Sequence, residues 1–120
     1  MADNNKKQYD LEDRTLKFAM EVRFLIKSLP KTISNIEDSK QLARSSGSIA
    51  ANYIEANEAI SKKDFLLRIK IARKEAKESR LWLKLLFVDR PEKEKQRASL
   101  VRESEELMMI LSSIMRKTSE

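Results

Sequence analysis

The chain has 120 residues, with 25 Lys and Arg against 19 Asp and Glu for a net charge of +6, and it holds one Gly, two Pro, no Cys and no His. Without thiols there is no disulfide framework, cysteine zinc site or cysteine nucleophile, and without His the usual general base and commonest transition-metal ligand are missing. One Gly excludes a glycine-rich phosphate loop, and no apolar run approaches the ~20 residues that cross a bilayer.

Residues 1–9 read as a polar, flexible tail. The opening MADNNKKQYD lacks the apolar stretch of a secretory signal, so a cytoplasmic location is expected. A first helix is predicted over about 11–29, capped by Asp10, with Leu11, Thr15, Phe18, Val22, Leu25, Ile26 and Leu29 on one side and Pro30 at its end. A second is predicted over 38–59, capped by Asp38 or Ser39, with Leu42, Ser46, Ile49, Ala50, Tyr53, Ile54 and Ala56 as its apolar arc. Its small run around Gly47 suggests close approach of a neighbouring helix backbone, since Gly inside a helix costs ~1 kcal/mol against Ala.

The third helix is predicted over 62–88. Ser61-Lys-Lys-Asp64 reads as a capping box, and Phe65, Ile69, Ala72, Ala76, Leu83 and Leu86 form the stripe. The fourth is predicted over 93–117, with Leu100, Val101, Leu107, Met108, Leu111, Ile114 and Met115 together, and 118–120 as a short tail. Four amphipathic helices with short connections imply one all-α domain over 10–117, an antiparallel up-down four-helix bundle.

Three features exceed a plain bundle. Residues 61–88 carry nine basic and three acidic residues, so the whole net charge sits there. Lys63, Lys70, Arg73, Lys74, Lys77, Arg80 and Lys84 fall opposite Phe65 and Ile69, a ridge roughly 30 Å long that suits a phosphate backbone. The first helix has a second apolar stripe, Leu16, Met20 and Phe24, opposed to its core stripe; the third has a second apolar flank, Leu67, Ile71, Trp82 and Leu85. An amphipathic helix of a monomer buries one face, so the first stripe is expected to be an oligomer interface. Finally, Arg44, Ser48, Asn52 and Glu55 line one side of the second helix, and Arg68, Glu75 and Glu78 fall in or beside the apolar arc of the third. Buried charges need partners, so Arg44 or Arg68 is expected to pair with Glu55, Glu75 or Glu78.

Glu55/Glu58 and Glu75/Glu78 also resemble the carboxylate pairs with which all-α nucleotide pyrophosphatases hold Mg²⁺. Asn57 stands before Glu58, and Glu78 stands where those enzymes carry a final Asp. A di-iron bundle would need Glu-x-x-His, which a chain without His cannot supply.

The run from Arg44 through Gly47, Asn52-Tyr-Ile-Glu55 and Ala56-Asn-Glu-Ala, then Ser61-Lys-Lys-Asp-Phe65, Ala72-Arg-Lys-Glu75-Ala-Lys-Glu78 and Trp82-Leu, resembles the 23S rRNA intervening-sequence proteins. Asp10-Leu-Glu-Asp-Arg14 with Phe18-Ala and Leu29-Pro30-Lys match that family's first helix; the resemblance covers about residues 9–88. It implies a bacterial protein with an up-down four-helix bundle, pentameric rings with a basic surface, and nucleic-acid binding. Some members are encoded within insertions in 23S rRNA genes, and relatives accompany diversity-generating reverse transcriptases. The family offers no established catalytic residue to carry over.

The combined expectation is a non-catalytic, cofactor-free module that assembles with itself and binds RNA or DNA backbone through the basic ridge. The alternatives are an adaptor whose ridge meets an acidic protein such as a polymerase, and a Mg²⁺-dependent nucleotide pyrophosphatase.

Overall fold

The computed structural model describes the backbone of residues 2–119 and the side chains of residues 11–119. The described residues form four helices and no strand: α1 (Ala2–Lys27), α2 (Ile33–Asn57), α3 (Lys62–Leu85) and α4 (Pro91–Ser119). The bundle measures 45 × 26 × 19 Å. No helix among the described residues is long and apolar enough to cross a membrane.

The helix ends differ from the sequence expectation for local reasons. α1 begins at Ala2, so Asp10 lies inside it rather than capping it. Residues 2–9, expected as a flexible tail, are part of this helix, and residues 118 and 119, also expected as a tail, are the end of α4. α2 starts at Ile33, not near residue 38, because Thr32 is the cap: its Oγ1 accepts a hydrogen bond from Asn35 N at 3.1 Å. Ile33 and Ile36 are exposed, so the apolar period that betrays a helix is missing from this first turn. At Ser61 one arm of the capping box is present, Asp64 N donating to Ser61 Oγ at 3.0 Å.

α3 stops at Leu85, short of residue 88, because partners outside the helix take the next backbone groups. Arg97 Nη1 donates to Leu83 O at 3.4 Å and to Leu86 O, and Asn35 holds both backbone groups of Phe87. α4 starts at Pro91, where a missing N–H costs nothing, with Glu92 and Glu94 in its first turn at the positive end of the dipole. Arg97 hydrogen-bonds Glu94 and holds its carboxyl below the usual range.

Each helix packs on two neighbours: α1 on α2 and α4, and α3 on α2 and α4. Along α1 and α2, Asn57 Nδ2 donates to Glu12 Oε2 at 2.7 Å, while Arg23 Nη2 donates to Ala43 O at 3.2 Å. Phe18, Val22, Leu25, Leu42, Ile49, Ile69, Leu83, Leu107 and Leu111 are fully enclosed between the four helices. Ala72, Ala76, Ser45 and Ser79 are buried at the α2–α3 seam, the most extensive in the bundle. The Ser45 and Ser79 hydroxyls lie 2.8 Å apart, so small side chains bring these helices close without leaving polar atoms unpaired.

Gly47 has a different cause from the one its sequence suggested. A Cβ there would lie 3.3 Å from Arg23 Nη2, so what approaches is an arginine side chain, not a helix backbone. That guanidinium crosses from α1 and also donates to Ala19 O at 2.9 Å.

Candidate nucleic-acid interface

α3 turns its core stripe inward, which leaves a charged outer face. Lys63, Lys70, Lys74, Lys77 and Lys84 are all exposed there. Among the described residues none of the five is in an ion pair. From Lys63 to Lys84 the row runs about 30 Å at ~1.5 Å per residue.

Arg73 and Arg80, expected in the same ridge, are drawn aside. Both fall on the flank next to α4, where Arg80 Nη1 lies 3.4 Å from Glu105 Oε2 and Arg73 Nη1 points at Met115 Sδ, 3.7 Å away. An arginine with a carboxylate in reach is partly neutralised, so the free cationic row is narrower than the sequence implied. The row is also less purely charged: Leu67, Leu81 and Leu85 stand about half exposed along it. Ile71 and Trp82, the rest of the expected second flank, are half-buried, and Trp82 packs against the core.

The polar stripe lies at the α2–α3 seam. Arg44 Nη2 sits 3.4 Å from Glu75 Oε1 and 3.5 Å from Glu78 Oε1, with Glu75 10% exposed and Arg44 54%. Asn52 Nδ2 donates to Ser48 O at 2.9 Å, and its Oδ1 accepts from Arg68 Nη1 at 3.3 Å. Glu55 is exposed and, among the described residues, takes no part in these pairs. Arg44 occupies the space between the two carboxylates of the second acidic pair. Among the described residues no group of three or more acidic side chains is gathered closely enough for a metal ion.

On α1, Leu16, Met20 and Phe24 are 54%, 49% and 64% exposed. Lys27 Nζ lies 6.0 Å from the centre of the Phe24 ring. Beside this stripe Arg14 reaches α4, where Nε donates to Glu103 Oε2 at 3.0 Å and Nη2 to Glu103 Oε1 at 2.7 Å. These bonds raise the guanidinium pKa, so Arg14 stays charged at any ordinary pH. Sequence reading missed this clamp: both residues are ordinary surface charges in their own helices, and only the packing of α1 on α4 brings them together.

Residues 7–113 match the family of 23S rRNA-intervening sequence proteins. The chain belongs to that family. Among solved structures, this member of the 23S rRNA-intervening sequence proteins is similar to a protein of unknown function from the S23 ribosomal protein family of Bacteroides thetaiotaomicron. The two are 36% identical over 92% of this chain and 98% of the other, with a TM-score of 0.79. No curated protein matches it.

Proposed function

We propose that this intervening-sequence protein is a non-catalytic, cytoplasmic module that binds nucleic-acid backbone, RNA above all, through the outer face of α3. The observation that carries the reading is the row Lys63, Lys70, Lys74, Lys77 and Lys84, exposed and without ion pairs among the described residues. Lysine is a point charge on a flexible stem, suited to phosphates and indifferent to base sequence. The order of contacts supports an antiparallel, up-down bundle: Glu12 with Asn57 and Arg23 with Ala43, then Arg44 with Glu75 and Asn52 with Arg68. The exposed stripe of Leu16, Met20 and Phe24 supports self-assembly on the side of the bundle away from α3, and the family resemblance implies a pentameric ring. A ring would repeat the lysine row and add avidity.

Salt titration of binding tests the reading. Five phosphate contacts give a slope of log K against log salt of about −4.5 on duplex DNA and about −3.5 on single strands. Replacing Lys70, Lys74 and Lys77 with Ala flattens the slope by about one unit per lost contact and weakens all sequences alike. Binding indifferent to salt and to these replacements would overturn the reading in favour of the adaptor.

A further inference from the structure

Along the outer face of α3, Lys63, Leu66, Leu67 and Lys70 occupy positions i, i+3, i+4 and i+7, which share one side of a helix. The same spacing returns fourteen residues later in Lys77, Leu81 and Lys84. Leu67 and Leu81 are half exposed although each stands between two lysines. A face that served phosphates alone would have no use for leucine at these positions. At the first unit the surface is hollowed: an open depression of about 750 Å³ is lined by Ser61, Lys62, Lys63, Asp64, Leu66, Leu67 and Lys70, three lysines against one carboxylate. It lies at one end of the lysine row and continues it.

We propose that this depression seats an unpaired nucleotide of single-stranded RNA, its base on Leu66 and Leu67 and its flanking phosphates on Lys63 and Lys70. The inference rests on the backbone-binding reading above and adds selectivity to it. Three observations choose this occupant. The cations stand on both sides of the apolar floor, as phosphates stand on both sides of a base. The hollow is continuous with the row that would guide the strand. Its floor is apolar, and a base can bring an exposed π-face to it only when it is not stacked in a helix. A perfect duplex keeps its bases stacked inside, so it meets the lysines but leaves the leucines unused. The second unit, at Leu81, lies about 21 Å along the helix and has Arg80 where the first has Leu66, so it offers a single leucine between its lysines.

The test uses the full chain and fluorescence anisotropy at one fixed salt concentration. The probes are a single-stranded RNA dodecamer of mixed sequence, the same strand in a perfect duplex, and that duplex with one bulged nucleotide. The single strand and the bulged duplex are expected to bind about fivefold tighter than the perfect duplex, the gain of covering about 40 Å² of leucine surface with a base. Leu67→Ala is expected to remove most of that preference, with duplex affinity and the single-strand salt slope unchanged; Leu67→Tyr, which enlarges the floor, is expected to increase it. Leu67 is half exposed, so circular dichroism suffices to check the folding of both variants. Salt-dependent binding with no preference for unpaired bases, or a preference untouched by both variants, overturns this inference and leaves backbone binding standing. Absence of salt-dependent binding to any probe overturns both. A Leu67→Ala defect seen with an acidic amphipathic peptide of Glu and Leu but not with RNA also overturns it, and assigns the depression to a protein partner.

Discussion

Asn35 and Phe87, fifty-two positions apart, exchange two hydrogen bonds: Asn35 Nδ2 donates to Phe87 O at 2.9 Å, and Phe87 N donates to Asn35 Oδ1 at 2.8 Å. The same amide group donates to Pro30 O at 2.9 Å. One side chain, 2% exposed, thus stands in for a backbone partner and ties the α1–α2 connection to the segment that follows α3. Replacing Asn35 with Ala leaves three partly buried backbone groups without this partner, a cost of about 2–3 kcal/mol. Thermal unfolding followed by circular dichroism should show the midpoint fall by roughly 10 °C. Asn35→Asp should be similarly harmful, since a carboxylate cannot donate to either carbonyl. A midpoint unchanged in both would show that the clamp contributes nothing.

The Arg44–Glu75 pair should be worth less than a fully buried one. Arg44 is half in solvent and keeps Glu78 when Glu75 is lost. Glu75→Ala is therefore expected to cost about 1–2 kcal/mol in urea denaturation, below the ~3–5 kcal/mol of breaking an enclosed ion pair. Glu75→Gln should cost less still, because the amide oxygen can accept from Arg44. A loss above ~4 kcal/mol would mean that the seam is sealed from water, for instance by a second copy of the chain.

Assembly should depend on α1. Replacing Met20 and Phe24 with Glu places charge at two positions about half or more exposed, so the fold should tolerate it. Light scattering should then report a smaller species than the native protein, with helical circular dichroism retained. If native and variant chains scatter alike, the stripe is not the interface.

Tyr53 contributes to the alkaline loss of stability. Burial pushes its phenol pKa up, against a hydrogen bond with Asn57 that lowers it, so the folded value lies above the unfolded one. Its contribution to stability is complete below about pH 10 and is lost as pH rises from there through the folded value. Tyr53→Phe removes this loss. The variant's stability should fall less steeply than the native protein's above about pH 10 in urea titrations at a series of pH values. Parallel curves would contradict it. Lysine titration is common to both chains and cancels in the comparison.

Much of the bundle is legible in the sequence because a helix needs only local information. Phe18, Val22 and Leu25 repeat at helical spacing, and their burial follows. Pro30 and Pro91 punctuate the chain whatever surrounds them. The basic face of α3 is readable for the same reason, since the positions of Lys63, Lys70, Lys74, Lys77 and Lys84 on one side depend only on the helix period. What the sequence could not settle are groups whose partners lie on another element. Thr32, and not Asp38 or Ser39, caps α2, and the exposed Ile33 and Ile36 leave no periodic trace of its first turn. Arg80 leaves the ridge for Glu105 of α4, Arg14 locks onto Glu103, Arg23 covers Gly47, and Asn35 receives Phe87. Each of these bonds has its energy only at short range, between residues brought together by the packing of apolar stripes. That packing is decided by the whole set of helices at once, so the tertiary structure alone chose which charges of the α3 face are paired with another helix, and left Lys63, Lys70, Lys74, Lys77 and Lys84 without an ion pair among the described residues.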